Sequence, residues 1–422
     1  MEVKSGYKQT EVGVIPMDWE VKRIGDVVDT DPENLGNNTN PDLVFNYIAL
    51  EDVDRGFLRS HSEQLFATAP SRARRKLRLD DVLVSTVRPN LQSHLLFRRE
   101  DGNWICSTGF CVVRCQKGVT HPGYVFFHLF ANCVNRQIEA LLTGSNYPAI
   151  NSGDVRALEI PFPAYNEQAA IAEALSDADA FIESLEQLLV KKRQLKQAAM
   201  QQLLTGKKRL PGFSGDWEVK RLGELAEIRS GGTPSTTQPQ FWDGDIPWCT
   251  PTDVTRLNSF KYLFDTSRKI SREGVKSSSA EIIPDNSVVM TSRATIGECA
   301  INRVPVSTNQ GFKNFTPFEN VDEEFLYYLL MTQKQGFITL CGGSTFLEIG
   351  KAQLIVFEVC IPTTKAEQTA IAAILSDMDA EIAALEAKLA KARRLKQGMM
   401  QELLTGRIQL VHPSRSGENA AC

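Results

Sequence analysis

The chain has 422 residues, of which 42% are hydrophobic and 23% charged, and its formal net charge is −4. This composition is typical of a globular protein with room for two or more domains, and no apolar run reaches the ~20 residues of a membrane span. Because Met1 is not followed by the apolar segment of a secretory signal, a cytoplasmic location is expected, and the acidic balance argues against binding nucleic acid through overall charge.

The N-terminal part of the sequence predicts a short leader followed by a mixed domain. The segments VFNYIAL, VLVST and ICSTGFCVVRC are rich in β-branched and aromatic residues, which favour strands. An aromatic-rich segment from Pro122 to Leu142 then predicts a helix, and a similar segment from Glu323 to Leu340 predicts its counterpart. Strands with an inserted helix indicate an α+β domain.

The nine cysteines do not indicate cysteine chemistry. Their number is odd and they are scattered, which argues against a disulfide framework. Cys106, Cys111 and Cys115 lie close together and are followed by His121 and His128, but the spacing is not that of a zinc site. We therefore expect buried thiols and no metal.

A long segment occurs twice, as EQAAIAEALSDADAFIESLEQLLVKKRQLKQAAMQQLLTG and as EQTAIAAILSDMDAEIAALEAKLAKARRLKQGMMQELLTG. Shorter repeats accompany it: DWEVKR occurs twice, DDVLVSTVR parallels DNSVVMTSR, STGF parallels STNQGF, and GSNYPAI parallels GSTFLEI. The two domains differ where surfaces are expected, which indicates one scaffold with two different binding heads. The predicted order is a leader with a first variable domain (1–163), a first long helix (164–206), a leader with a second variable domain (207–362), a second long helix (363–410) and a flexible tail (411–422).

Both long segments predict helices with defined ends. The first is expected to begin at Asn166 as N-cap, and the second at Thr364 with Glu367 completing a capping box. Gly206 and Gly406 suit the position after each helix. Apolar residues recur in an alternating heptad spacing, as in a coiled-coil seam. The seam residues are Ile171, Leu175, Ala178, Ile182, Leu185, Leu189, Ile371, Leu375, Met378, Ile382, Leu385 and Leu389.

Each long helix is acidic in its first half and basic in its second half. An antiparallel pair places acid opposite base, whereas a parallel pair aligns like charges. The expected fold class is therefore α+β, with two tandem α+β domains separated by two long helices that form an antiparallel coiled coil within one chain. Such a rod would hold the domains at its opposite ends and suits duplex DNA read in two half-sites. Packing of each helix on its own domain is the alternative.

Catalytic motifs are not found in the sequence. LLTGKKR lacks the first glycine and the Ser/Thr of a P-loop, no GxGxxG follows a predicted strand, and no HExxH occurs. The sequence contains only five histidines, so few residues are available for histidine-based acid–base catalysis or metal binding. GSNYPAI resembles the motif of amino-methyltransferases only weakly, because it lacks the second proline. We expect no catalytic residue, no metal and no cofactor in this chain.

Local basic patches remain as candidate DNA contacts. The run SRARRKLR precedes the strand that leads to Arg88, and a second basic run precedes Arg293 in the other copy. Lysine and arginine contact phosphates, and arginine also reads guanine. A solvated charge run, or a structural salt bridge for Arg88 and Arg293, is the alternative, whereas Trp19 and Trp217 are expected to be packing anchors. The candidate DNA-binding residues are Arg72, Arg74, Arg75, Lys76, Arg78, Arg88, Asn90, Asn146, Tyr147, Arg268, Lys269, Arg272, Arg293, Asn309, Gln310, Lys313, Ser344 and Thr345.

These features resemble the specificity subunit of Type I restriction-modification systems. The likeness spans nearly the whole chain and rests on the shared helix opening EQ-AIA-LSD-D, the ending LLTGK and the leader RLPGFSGDWEVKRLGEL. It implies that each variable domain is a target recognition domain for one half of a bipartite, asymmetric site in double-stranded DNA. It also implies that the helix pair sets the spacer and docks two modification subunits, which would use S-adenosylmethionine to methylate adenine. Restriction subunits, with ATP and Mg, would complete the assembly.

A non-catalytic two-headed protein adaptor on a helical rod is the alternative function, and the net charge of −4 favours it slightly. DNA binding that weakens steeply with salt would distinguish a DNA reader from an adaptor. Side-chain identities alone do not give the DNA sequence, the spacer length or the residues that contact bases.

Overall fold

The computed structural model describes residues 5–143, 148–258, 260–341 and 347–411. The chain divides into two compact units: one contains the residues up to Ser184 and from Ala390 onward, and the other contains Leu185–Leu389. Each unit therefore includes a part of both long helices, whereas the boundaries predicted from the sequence separate helices from domains. Among the described residues, no helix combines the length and the apolar character that a membrane crossing needs.

The first domain is built from short strands and helices. Its strands are β1 (Tyr7–Thr10), β2 (Gly13–Pro16), β3 (Glu20–Arg23), β4 (Val28–Thr30), β5 (Val44–Ile48), β6 (Val53–Asp54), β7 (Phe57–Leu58), β8 (Ser62–Leu65), β9 (Ala73–Lys76), β10 (Val82–Ser85), β11 (Leu95–Leu96), β12 (Trp104–Ser107), β13 (Phe110–Cys115) and β14 (Glu159–Phe162). Its helices are α1 (Ile24–Val27), α2 (Pro122–His128), α3 (Asn132–Leu141) and α4 (Ser152–Ala157), and the first long helix is α5 (Tyr165–Leu203).

The second domain has a similar set of elements. Its strands are β15 (Trp217–Arg221), β16 (Ala226–Ser230), β17 (Trp242–Cys249), β18 (Tyr262–Leu263), β19 (Arg268–Ile270), β20 (Val288–Thr291), β21 (Cys299–Asn302), β22 (Ser307–Thr308), β23 (Phe312–Pro317) and β24 (Glu358–Pro362). Its helices are α6 (Leu222–Leu225), α7 (Pro251–Thr255), α8 (Arg272–Lys276), α9 (Glu323–Thr332), α10 (Lys334–Thr339) and α11 (Lys351–Ile355), and the second long helix is α12 (Lys365–Leu403).

Two main sheets form the first domain. One is antiparallel and has the order β11-β10-β13-β4, while the other has the order β8-β5-β12-β9 and pairs β5 with β12 in parallel. Strand β10 is buried on both faces, because Val82 and Val84 lie in one buried cluster and Leu83 in another. This burial explains why the three residues are all apolar. A strand buried on both faces needs apolar residues at every position.

The second domain repeats this topology, and the predicted α+β class with an internal repeat is confirmed. One sheet has four antiparallel strands in the order β16-β23-β20-β21, and β18 pairs in parallel with β21 at its edge. The other sheet has the order β19-β17-β22, with β17 and β22 parallel. Strand β20 also faces two clusters, since Val288 and Met290 lie in one and Val289 in the other. The sequence parallels DDVLVSTVR/DNSVVMTSR and STGF/STNQGF therefore mark equivalent strands.

The repeated leader DWEVKR is a strand that pairs with the entry to a long helix. Strand β3 is antiparallel to β14, and β15 is antiparallel to β24. Trp19 is 2% exposed, and the indole of Trp217 is half-buried and donates to Glu367 over 3.3 Å. Both tryptophans are packing residues, as predicted.

The predicted helices in the domains are interrupted. The segment Pro122–Leu142 forms α2 and α3 with a break after His128, and the segment Glu323–Leu340 forms α9 and α10. Aromatic composition predicted the helical character of these segments but not their breaks.

The start of the first long helix was predicted incorrectly. Helix α5 begins at Tyr165, and the backbone N–H groups of Glu167 and Gln168 donate to the carbonyl of Ala164. Asn166 therefore lies inside the first turn and is not the N-cap. Pro163, which has no backbone N–H, directly precedes Ala164, whose carbonyl accepts the first hydrogen bonds of the helix.

Helix α12 has the predicted cap but only half of the capping box. The Thr364 hydroxyl accepts from the N–H of Glu367 at 3.4 Å. The Glu367 carboxylate does not return to the cap, because it receives two hydrogen bonds from Arg209 at 2.7 and 2.8 Å. In the first unit the equivalent Glu167 accepts from the backbone of Leu410 and Val411. The glutamate of each repeated EQ pair thus joins its helix start to the segment that follows the other long helix.

The predicted seam residues are buried or half-buried. Ile171 and Leu175 belong to the core of the first domain, and Ile371 and Leu375 to that of the second. The first turns of each helix therefore pack on their own domain, so the alternative weighed from the sequence holds for this part. Leu195, where the heptad spacing drifts, is 47% exposed.

The two long helices run antiparallel in both units. In the second unit Arg193 pairs with Glu386 at 2.5 Å, Lys196 pairs with Asp379, and Arg209 pairs with Glu367. The acidic partners occur at decreasing residue numbers along α12 as the basic residues advance along α5 and into the segment after it. In the first unit Lys396 pairs with Asp179 at 2.5 Å. The charge pattern thus predicted the orientation correctly.

Candidate nucleic-acid interface

The basic run of the first domain, Arg72–Arg78, spans β9 and its flanking residues and contains two arginines in internal ion pairs. Arg75 is ion-paired with Asp31, and both side chains are largely buried, with 14% and 17% exposed. Arg78 pairs with Glu33 at 2.5 Å, and Glu33 also accepts from Arg114 at 2.6 Å. The hydrogen bond from Arg114 holds the pKa of Glu33 below its ordinary value. These contacts lie within the domain.

The other cations of this run face solvent or an aromatic ring. Arg72 and Lys76 are exposed, and the Arg74 guanidinium lies 5.1 Å from the centre of the Phe66 ring. Because Arg72 and Lys76 carry solvated charge, they suit phosphate contacts better than Arg75 does. Their contact with DNA stays a prediction.

Arg88 begins a 3-10 turn at Pro89–Leu91 and has a left-handed backbone with φ of 50°. Its N–H donates to the carbonyl of Pro148 at 2.8 Å, and both Arg88 and Asn90 are exposed. The predicted contacts Asn146, Tyr147, Ser344 and Thr345 lie outside the described residues.

In the second domain, Arg268 is held between two tryptophans. Its guanidinium carbon lies 3.9 Å from the ring centre of Trp242 and 5.3 Å from that of Trp248. Both tryptophans come from β17, whereas Arg268 starts β19. These aromatic partners were not predicted from the sequence, although two tryptophans at an even spacing in one strand predict side chains on one face.

Lys269 and Arg272 follow Arg268 and have carboxylate neighbours. Lys269 pairs with Asp265 at 3.4 Å, and the exposed Arg272 lies 3.8 Å from Asp245. Surface ion pairs of this kind contribute only about 0–1 kcal/mol, so both cations can exchange their partners for phosphates.

The two basic runs are not equivalent in the fold. In the first domain, β9 pairs with β12, the second strand of the parallel pair β5 and β12. In the second domain, β19 pairs with β17, which is the counterpart of β5 and the first strand of the parallel pair β17 and β22. Their recurrence in the sequence therefore does not mark one shared surface. The runs lie on opposite sides of their parallel pairs because strand order depends on long-range pairing.

Arg293 and Lys313 meet at Glu348. Arg293 pairs with this carboxylate at 2.9 Å, and the Lys313 ammonium lies 4.0 Å from it and donates to Ser292 over 3.4 Å. Lys313 is 5% exposed, and burial lowers the pKa of its ammonium. The structural salt bridge expected as the alternative for Arg293 is present, and Lys313 is shielded from solvent.

Asn309 and Gln310 lie in the turn before β23. The side-chain oxygen of Asn309 accepts from the N–H of Gly311 at 2.9 Å, and Gln310 accepts from the Thr233 hydroxyl. Gln310 is exposed and Asn309 half-buried. Asn309 shapes its own turn, whereas Gln310 presents its amide at the surface.

Of the three clustered cysteines, Cys106 and Cys111 are fully buried and Cys115 is half-buried. Burial raises the pKa of Cys115 to about 12. Across the described ranges, no group of three or more His, Cys, Asp or Glu side chains is placed to hold a metal ion.

A family model described as Type I restriction modification DNA specificity domain matches residues 16–192 and again residues 214–394. The chain belongs to this family. The two matches cover most of the chain, and each includes one leader, one variable domain and most of one long helix. The sequence resemblance to this family is therefore confirmed.

Relatives with assigned roles are specificity subunits. The Type I restriction enzyme MjaIX specificity subunit of Methanocaldococcus jannaschii is 40% identical over 166 residues, which are 39% of this chain and 38% of the relative. The chain thus aligns with well under half of that relative. The putative type I restriction enzyme MjaX specificity subunit of the same organism is 23% identical over 96% of this chain and 97% of the relative.

A solved member of the family has the same fold. The crystal structure of the HsdS subunit from Thermoanaerobacter tengcongensis is 26% identical, with a TM-score of 0.53 over 93% of this chain and 98% of that chain. Similarity over this length includes both variable domains and both long helices.

Proposed function

We propose that this chain is the sequence-reading subunit of a Type I restriction-modification complex, and that each variable domain reads one half of a bipartite, asymmetric DNA site. The observation that carries this proposal is the pair of family domains with one topology but different surface residues, held by nearly identical helices. Equivalent scaffolds with unlike surfaces suit two different half-sites on one duplex.

The chain itself contributes recognition and not catalysis in this proposal. The helix pair sets the spacer between half-sites and docks two methyltransferase subunits, which bind S-adenosylmethionine and methylate adenine. Restriction subunits bind ATP and Mg and act on the same DNA. The complex works in the cytoplasm, where its DNA substrate lies.

Methylated adenines, mapped in a host genome with and without the gene, test the proposal. We expect a gapped, asymmetric motif that disappears on deletion. Replacing residues 222–358 by the same segment of another family member should change one half of the motif and leave the other half. A motif that survives deletion, or one that changes in both halves, contradicts the assignment.

The salt dependence of binding separates a DNA reader from a protein adaptor. The assembled complex should lose affinity for duplex DNA by orders of magnitude between 50 and 200 mM salt, because phosphate contacts release counterions. A chain that binds two proteins and shows no such loss is an adaptor.

A further inference from the structure

Arg268 differs from the other candidate cations because its orientation is fixed by two aromatic rings. Its guanidinium stacks on Trp242 at 3.9 Å, and the Trp248 ring stands nearly perpendicular to the Trp242 ring, 5.0 Å away. The Cα atoms of Arg268 and Trp248 are partners in the ladder between β17 and β19. Backbone and guanidinium are therefore both positioned.

The two tryptophans are themselves anchored. The indole N–H of Trp242 donates to the carbonyl of Ser235 at 3.0 Å, and that of Trp248 donates to the carbonyl of Gly232 at 3.0 Å. Trp248 is 4% exposed. Rings with satisfied N–H groups and little freedom form a rigid platform for a cation.

Stacking occupies the face of a guanidinium but not its N–H groups, which lie in the plane of the group. In the described part of the chain, Arg268 has no ion pair with a carboxylate, whereas Lys269 and Arg272 each have one nearby. Arg268 is exposed, so the donor edge is open to a ligand. A planar fork of donors matches the O6 and N7 acceptors of guanine.

We propose that Arg268 reads a guanine in the half-site of the second domain, by two parallel hydrogen bonds from its stacked guanidinium. This inference rests on the proposed function. Lys269 and Arg272 contact the flanking phosphates, where a point charge is sufficient. Fixing the fork before binding lowers the entropy cost of the contact. Strand β8 occupies the equivalent edge in the first domain, and its sequence SEQL contains no arginine. The stacked arginine therefore serves the half-site of the second domain only.

The test compares Arg268→Lys, Arg268→Ala and Arg272→Ala in the assembled methyltransferase complex. The lysine variant keeps the positive charge but loses the planar set of N–H donors of the guanidinium. We expect both Arg268 variants to lose discrimination at one G·C pair of the half-motif that the exchange of residues 222–358 assigns to this domain, by about 5- to 150-fold. Arg272→Ala should weaken binding to all sequences equally and lower the salt slope by about one.

Three results would overturn the inference. The first is a half-motif that contains no G·C pair. The second is an Arg268→Lys variant that discriminates at every position as the unaltered complex does. The third is an equal loss of affinity for all DNA sequences in both Arg268 variants, which indicates a phosphate contact. Thermal melting of each variant controls for folding, and the lysine variant retains the test if the alanine variant unfolds. If the unaltered complex shows neither a gapped motif nor salt-dependent DNA binding, the proposed function itself fails.

Discussion

Trp19 packs against Gly406, so the first leader contacts the end of the second long helix. A Cβ atom at Gly406 would lie 3.1 Å from the Trp19 ring and 2.6 Å from Pro16. The second unit contains the matching contact between Trp217 and Gly206, where the corresponding distance is 3.1 Å. In the second unit this contact joins segments that are close in sequence, whereas in the first unit it joins segments that are far apart in sequence.

Replacing Gly406 by alanine should destabilise the first unit more than Gly206→Ala destabilises the second. Both glycines have a left-handed backbone, with φ of 69° and 68°, which costs a non-glycine residue about 1–2 kcal/mol. The close approach of Pro16 adds strain only at Gly406. Urea unfolding of both variants measures the difference, and equal effects would contradict the packing argument.

Reversing one charge of the Asp179–Lys396 pair should lower stability, and reversing both should restore most of it. The two side chains are 32% and 23% exposed, so the pair is partly shielded from solvent. We expect a loss of about 1 kcal/mol for Asp179→Lys alone, because it places like charges together. A double-mutant cycle with Lys396→Asp gives the coupling energy.

The control for this cycle is Lys192→Ala, whose partner Glu381 is 56% exposed. It should change the melting temperature very little. A coupling energy near zero for Asp179 and Lys396 would mean that the apolar seam alone determines the antiparallel orientation.

Arg75→Ala should destabilise the first domain by about 3 kcal/mol, since it leaves the largely buried Asp31 carboxylate without its cation. Asp31 still accepts from the backbone of Val112 at 2.8 Å and from the Ser152 hydroxyl at 2.6 Å, which moderates the loss. Arg72→Ala is the matched variant, because Arg72 is exposed. It should leave unfolding unchanged and lower the salt slope of DNA binding by about one. The opposite pattern would make Arg75 the DNA contact.

Acid should destabilise the first domain through two buried histidines. Burial lowers the pKa of His94 to about 4 and that of His128 to about 3, from 6.5. Below about pH 6.5 the unfolded chain binds protons that the folded chain does not, so stability falls as the pH falls. The expected loss at pH 5.5 is about 1.4 kcal/mol for each histidine.

His128→Leu should remove its share of this acid sensitivity. Both ring nitrogens of His128 are buried without a hydrogen-bond partner in the described structure, and leucine occupies the corresponding position 329 of the second domain. Urea midpoints at pH 7.5 and 5.5 measure the change. His61→Leu, at an exposed site, is the control and should keep the full acid dependence. Equal acid losses in both variants would contradict the assignment.

Some site residues were predictable and others were not, for reasons seen in particular side chains. Arg293 was expected either to contact DNA or to form a salt bridge, and it pairs with Glu348. The aromatic platform of Arg268 was not expected, because the ladder pairing of β17 with β19 that brings them together is not visible in either segment alone.

The sequence by itself determined the duplicated plan, the two long helices, their closing glycines and their antiparallel orientation. Each of these depends on spacing and charge along a short stretch of chain, which local hydrogen bonding and helix periodicity translate directly. Only the tertiary structure decided which cations are committed to internal pairs and which face outward. Arg75 and Arg72 lie in one basic run, yet only Arg75 pairs with Asp31, whose segment is brought close by the isolated bridge between Asn34 and Arg75. Strand order follows packing between segments far apart in sequence, and a pattern along one strand does not contain it.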